Sequence, residues 1–557
     1  MLALFETYIR DKEIALKVEI VVPGTPPMRT LLTRVVLLAG GVLALSGCPN
    51  VVTPPADAVA SSQNASTAST SLLASSPAAS VVSTSAMPLA NGAQRPGSAD
   101  ASGKRVALVS SCSKVQQRGV TFTLDRAYPC GQFANGDYWV TPTTGSLDKV
   151  KVVSITPAYF YDSKARAHRN GLEVNPSRVD RHGFDSDATN FDATLMRAVP
   201  YSAAPNESLV KAVSLLGHDK TNLDTAVVLT VLSAAPPDGG STVFRPPYFG
   251  RNKPLYSTNG LRVDRLPTLP GLPDMPTLGE LSARFAPVQL DHQRYWSADQ
   301  IHPKQNMPDY GAVIAMDTAV ASLRLMLEGD PAERRQLAIH LTQYGIDLDA
   351  AMQGGLHFNA DGGHRHGRKL VLSLAALMLD NPTMAARVRD FQLGTYQEDD
   401  QLHVGAGSGL VLFGSPCSAA DYWENQITGN NSRDCRDPYG YIDGGQQPGD
   451  YYQWCCTAKA YKATALALRL MPALRCIWTD DRILRYADRW VAHGAWTQPD
   501  PYQPRGNGSL DSNPADGTGR WPDAHGAARD DGAYANDFAD AMWTAYRSQA
   551  NNVSSCP

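Results

Sequence analysis

The sequence predicts a multidomain α plus β protein, in which an N-terminal antiparallel β-sandwich-like domain precedes an (α/α) toroid-like helical domain. Three observations lead there. β-branched runs bounded by Gly, Pro, Asn and Asp fill residues 105–276. Apolar residues at helical spacing fill residues 277–550. The helical runs are joined by long loops rich in Gly, Asp and aromatic residues, as helical hairpins with their loops gathered at one rim would require.

In the first half, strands are expected at Val120–Leu124, Val150–Ile155 and Ala226–Leu232, and Ser208–Leu216 is the single stretch with a helical pattern. A Pro-rich run from Pro267 to Pro276 marks the boundary. Beyond it, Val313, Met316, Val320, Leu323 and Leu327 set a helix over Tyr310–Leu327. Asp330 is a capping residue and Pro331 stands at the first helical position, which opens a helix through Leu348. The almost wholly apolar Leu370–Leu379 reads as a buried helix, and Thr457–Met471, Asp481–Val491 and Asn536–Arg547 complete the set. No self-similar period is present, which argues against a simple repeat array.

Ahead of both domains, residues 28–47 have the parts of a secretory signal: Arg29 and Arg34, a short apolar core from Val35 to Ala44, and small residues before a boundary. The core is too short to span a bilayer, which takes roughly 20 residues. Leu45-Ser46-Gly47-Cys48 resembles the lipobox of bacterial lipoproteins, in which the Cys is lipidated and becomes the mature N-terminus. That resemblance implies lipidation at Cys48 and an exported protein anchored to a bacterial membrane, outer membrane or cell surface, with its domain in the periplasm or outside. Residues 1–27, with Asp11, Lys12 and Glu13, fit no signal and are read as an upstream extension ahead of a true start at Met28. Residues 48–104, rich in Ala, Ser and Thr and nearly uncharged, are expected to be a disordered tether.

A net charge of −4 without a basic run argues against a nucleic-acid surface. There is no Gly-x-Ser-x-Gly elbow, phosphate loop or dinucleotide fingerprint. Nine cysteines are present. Apart from Cys48, eight lie in the folded part, an even number that suits disulfides after export. Cys112 with Cys130, and Cys417 with Cys435, close similar short loops and are the preferred pairs; Cys455 and Cys456 are the expected exceptions, because adjacent residues seldom pair with each other.

The densest polar cluster runs from Asn359 through Asp361, His364, Arg365 and His366 to Arg368, just before the Leu370 helix. Histidine titrates nearest neutrality and suits proton transfer. A loop that only capped the next helix would need far fewer ionisable groups. Asp361, His364 and His366 also have the chemistry to hold a divalent metal, although no cofactor is required. Tyr344 and Asp347 lie near the end of the preceding helix, and Glu398, Asp399 and Asp400 form a further acidic group. Tyr441, Asp443, Tyr452 and Trp454 supply the flat faces and acceptors of a sugar cleft, a mixture that would equally suit a protein interface.

In architecture and residue chemistry, residues 105–550 resemble exported polysaccharide-degrading enzymes that combine an α/α toroid with a β-sandwich, here with the β part first, the reverse of the usual order. No segment matches a particular family's motif. The resemblance implies a polysaccharide lyase that performs β-elimination beside a uronic-acid carboxylate. Asn359 and Arg368 would stabilise the enolate, and His364, Tyr344 or Tyr452 would act as base. A glycoside hydrolase would instead pair Asp361 with Asp347, Glu398 or Asp443. His366, Glu398, Tyr441, Asp443 and Trp454 are the expected substrate contacts. The reading from another class is a non-catalytic, glycan-binding surface lipoprotein. The expected partners are a polysaccharide and, through lipid, a membrane.

Overall fold

The structure, a computed structural model, describes residues 2–10, 13–21, 109–142, 148–217, 221–405, 409–414, 452–494 and 534–551. Cys48, the signal segment, the tether to 104 and the Cys417–Cys435 pair lie outside them. The chain forms two compact units, Met1–Leu73 and Ala74–Pro557. In the first, β1 (Leu2–Arg10) and β2 (Glu13–Val21) pair antiparallel, from Leu2 opposite Val21 to Arg10 opposite Glu13.

The second unit is α plus β, with the strands first and the helices after, as expected. Its strands are β3 (Ser110–Gln117), β4 (Val120–Gln132), β5 (Tyr138–Val140), β6 (Val150–Thr156), β7 (Phe160–Asp162), β8 (Ala167–Arg169), β9 (Leu172–Val174), β10 (Tyr201–Ala203), β11 (Glu207–Ser214) and β12 (Leu223–Val231). β7 and β8 form a separate hairpin. The other eight make one sheet in the order β10-β6-β4-β5-β12-β11-β9, with β3 on β4.

This sheet corrects two expectations. It is mixed, because β5 runs parallel to β12, from Tyr138 opposite Leu229 to Val140 opposite Val231. A parallel pair needs a long crossover, and most of the β-rich sequence lies between these two strands. The sheet also curls into a half-barrel and packs against its own inner face, where a sandwich would bring a second sheet. Phe122, Leu124, Val152, Leu209, Val227 and Leu229 meet there. Ser208–Leu216 proves to be strand β11 and not a helix. Leu209 faces the inner cluster and Val210 and Ala212 the opposite side, so both faces are buried. A strand buried on both faces loses the alternation that would distinguish it from a helix.

The outer side of β11 and β12, with Val210, Ala212, Ala226 and Val228, joins the helical core without a break. α1 (Leu278–Phe285) opens on a capping box in which Thr277 and Glu280 satisfy each other's backbone N–H groups. α2 (Gly311–Leu325) follows, then α3 (Pro331–Gln353), whose Asp330 cap accepts from the N–H groups of Ala332 and Glu333. Next come α4 (Arg368–Met378), α5 (Pro382–Arg389) and α6 (Gln397–Asp400), then the short ribbon of β13 (Leu402–Val404) and β14 (Val411–Phe413). A π-helical turn, Tyr452–Thr457, leads into α7 (Ala458–Leu470), and α8 (Pro472–Trp478), α9 (Arg482–His493) and α10 (Asp537–Tyr546) complete the described helices. Gly345 lets α3 and α4 touch, since a Cβ there would lie 2.3 Å from that of Ala375. No described helix is long and apolar enough to cross a membrane.

Two covalent or ionic ties brace the fold. Cys112 and Cys130 form the disulfide expected for them, between β3 and β4. Arg245, fully buried, binds Asp137 through Nε at 2.6 Å and Asp347 through Nη1 at 3.0 Å. This triad joins the turn after β4 to the middle of α3. Asp347 therefore has a structural cation for a partner and is not a rim carboxylate facing a sugar.

Candidate functional site

The polar loop between α3 and α4 is pinned at close quarters. Phe358 is buried and its N–H donates to the Thr395 carbonyl at 2.7 Å. A Cβ at Gly363 would stand 2.6 Å from that of Cys456 and 2.8 Å from the Tyr310 ring. Gly367 adopts φ +87°, and a Cβ there would come within 2.5 Å of Ala315 Cα. The segment therefore lies against the start of α2 and the π-helical turn as part of the core.

Its interior is organised by Asp291, a carboxylate 2% exposed. Arg365 Nη1 reaches Asp291 Oδ1 at 3.0 Å, while Arg368 Nε and the Tyr344 hydroxyl donate to Oδ2 at 2.6 and 2.7 Å. His302 Nε2 lies 3.3 Å from Oδ1. Burial alone would raise the Asp291 pKa, but the guanidiniums of Arg368 and Arg365 outweigh it and hold the carboxyl well below its usual range. Tyr344 is displaced the other way, well above the ordinary phenol value, by burial and then by the Asp291 charge.

These contacts revise the expected roles. Arg368, wholly buried, spends its guanidinium on Asp291 and on the carbonyls of His364 and His366, so it does not face a substrate carboxylate. Tyr344 is a core residue on the same carboxylate, not a rim base. His366 is buried with its ring edge-on to Tyr461, and burial followed by the charge of Arg368 lowers its pKa to about 3. Glu398 is buried too, and its Oε1 accepts the Gly367 N–H at 2.7 Å. Asn359 and Asp361 stay partly exposed at the surface end of the loop. Asp361, His364 and His366 turn to different partners, and no group of three metal-ligating side chains exists among the described residues. Tyr441 and Asp443, and the side chains of Tyr452 and Trp454, lie outside the described residues.

His364 differs from its neighbours. Its side chain is 21% exposed, and Nδ1 is 2.5 Å from Asp299 Oδ2. With the carboxylate accepting from Nδ1–H, Nε2 is left as the basic nitrogen. The Tyr310 ring stands edge-on to the imidazole, centroids 4.2 Å apart, and its hydroxyl accepts the Gly363 N–H at 2.8 Å. Beside this pair, Asp361 Oδ2 accepts the Trp296 N–H at 2.5 Å, and the Trp296 and Tyr295 side chains are 46% and 52% exposed. Tyr295 sits at φ +57°, a region unfavourable for a side chain of its size. The arrangement is an oriented, partly exposed imidazole on a loop joined through Asp361 to the segment that carries the exposed Tyr295 and Trp296.

Sequence reasoning missed Asp291, Trp296, Asp299 and Tyr310. A signal was present, since Asp291, His292, Arg294, Tyr295, Trp296, Asp299 and His302 are about as dense in polar and aromatic groups as the Asn359–Arg368 loop. What one strand of sequence could not provide was the pairing between two loops some seventy residues apart.

Compared with protein-family models, curated proteins and solved structures, the chain matches none.

The buried acid beneath the loop makes stability depend on pH. Burial raises the Glu398 pKa from 4.5 to about 7, against the opposing Gly367 N–H. An acid raised in the fold contributes stability fully present below its unfolded pKa and lost as pH rises through the folded one. The Glu398→Gln variant should therefore gain relative to the parent between about pH 4.5 and 7, by on the order of 3–4 kcal/mol at roughly 1.4 kcal/mol per pKa unit. Urea unfolding at pH 4.5, 6 and 8 measures this, and a constant difference across the series would show that Glu398 does not titrate there.

Proposed function

We propose that the chain is an exported carbohydrate-active enzyme that cleaves a uronic-acid polysaccharide by β-elimination, with His364 as the base. One observation carries the reading: a partly exposed histidine oriented by Asp299, on whose segment the Trp296 and Tyr295 side chains are also exposed. In this scheme the aromatic faces stack on sugar rings while His364 Nε2 takes the C5 proton. The C5–H electron pair forms the C4–C5 double bond as the C4–O glycosidic bond breaks. The leaving oxygen then takes up a proton. With Arg365 and Arg368 committed to Asp291, stabilising the enolate falls to the partly exposed Asn359 amide. The helices α2 to α4 with their intervening loop would form part of an incomplete α/α toroid. Lipidation at Cys48 would anchor the exported domain to a bacterial membrane.

The test is to incubate the purified protein with alginate, polygalacturonate and glucuronan, and with neutral xylan and galactomannan. Ultraviolet absorbance from an unsaturated uronate product is the expected result. New reducing ends without that absorbance would replace the lyase by a hydrolase. Binding without either product would leave a glycan-binding lipoprotein.

A further inference from the structure

A second aromatic surface lies on the β part and uses none of the residues assigned to catalysis. Tyr159, Phe160 and Tyr161, at the β7–β8 hairpin, are 47%, 41% and 50% exposed. Three bulky rings in succession left facing water are unusual in a fold whose other aromatics are largely buried. Tyr159 and Tyr161 are also fixed in place. The Tyr159 hydroxyl meets His168 Nδ1 at 2.9 Å with the two rings stacked, and Tyr161 meets His168 edge-on with centroids 5.1 Å apart. His168 in turn stacks on Phe191 at 5.3 Å. Tyr159, Tyr161, His168 and Phe191 thus form one continuous, preorganised row of rings.

Phe191 is also a wall of a cleft of about 400 Å³, lined besides by Asp180, Arg181, Asn190 and Asp192. The charges in that cleft are already matched. Asp180 pairs with Arg178 at 2.8 Å, and Asp192 with Arg181 at 3.2 Å. A cleft so neutralised has no net charge with which to attract an anion. It retains exposed carboxylate, amide and guanidinium groups, which suit hydroxyls. At its far side the Asn190 amide donates to Ser297 Oγ at 3.1 Å, next to Trp296.

We infer that the Tyr159–Tyr161 row and the Asp180–Asp192 cleft are a non-catalytic binding surface for the neutral sugar residues of a polysaccharide chain. The rings take pyranose faces by stacking, and the cleft takes hydroxyls by hydrogen bonding. Rings locked in advance lose little conformational freedom on binding, which favours affinity. The Asn190–Ser297 contact places this surface in continuity with the exposed Trp296, so one chain could occupy both. The surface does not depend on whether His364 is catalytic.

Affinity electrophoresis in native gels containing hydroxyethylcellulose, galactomannan or xylan tests this, with the intact protein, Tyr161→Ala and Tyr159→Ala/Tyr161→Ala. The parent should be retarded in at least one neutral gel, with little change on adding salt. The single variant should bind at least tenfold more weakly and the double variant should migrate as in an empty gel. Circular dichroism should be the same for all three, and His364→Ala should be retarded like the parent. If no neutral gel retards the parent, or if the double variant is retarded equally, the inference fails. It fails as well if the double variant instead abolishes pelleting with phosphatidylglycerol–phosphatidylcholine vesicles or a concentration-dependent dimer, which would assign the rings to a lipid surface or to a second copy.

Discussion

Asp291→Ala is expected to lower folding stability by about 3–5 kcal/mol, the penalty for leaving buried charges without their partner. Among the described residues the carboxylate is the only acid paired with both Arg365 and Arg368, each fully buried, and it also takes the Tyr344 hydroxyl and lies beside His302. Removing it leaves two guanidiniums in an apolar interior with only backbone carbonyls for partners. Urea unfolding followed by tryptophan fluorescence reads the loss. The milder Tyr344→Phe removes one hydrogen bond to a charged acceptor and should lose about 1.5–3 kcal/mol, so the hub remains measurable even if Asp291→Ala does not fold. A change below 1 kcal/mol in both variants would show that water reaches the cluster and that the network is not closed.

The second large effect is catalytic. On whichever glycan the protein cleaves, His364→Ala should lower kcat by about 10²–10⁴, the usual contribution of a positioned proton-transfer group. Stability should fall far less than for Asp291→Ala, because the His364 side chain is partly exposed and its main partner is a single carboxylate. Asp299→Asn keeps the shape but removes the carboxylate that orients the ring. It should lower kcat on the cleaved glycan while KM changes little, because the ring is no longer held with Nε2 toward the substrate. A merely structural Asp299 would alter melting and leave kcat in place. Near-full activity of His364→Ala would return the reading to the partly exposed Asp361 and to the residues outside the described set.

The coarse fold was legible because local signals agreed. Asp330 and Pro331 announce α3, the apolar run after Lys369 announces α4, and the β-branched runs around Phe122, Val152 and Val228 announce their strands. What failed depended on distant partners. Ser208–Leu216 reads as a helix because both of its faces are buried, a consequence of a core on each side. The polar loop was found from its composition, but composition does not say which groups point inward. Arg368 and His364 are four residues apart, yet one is sealed against Asp291 and the other reaches the surface beside Asp299. That assignment is decided by a second loop whose own ionisable residues had to be read together with the first.

The Arg245 triad bears on how such a chain could be cut or recombined. Its two acids come from the turn after β4 and from α3, and the outer face of β11 and β12 shares its apolar contacts with the helices. The Pro-rich run at 267–276 looks like a seam in the text of the sequence, yet a break there would strip Arg245 of Asp347 and expose Val210 and Val228 to water. Strand half and helix half are therefore not interchangeable cassettes. A lineage that shuffled one without the other would inherit an unpaired charge and a bare apolar wall, and selection would see the two halves as a single heritable part.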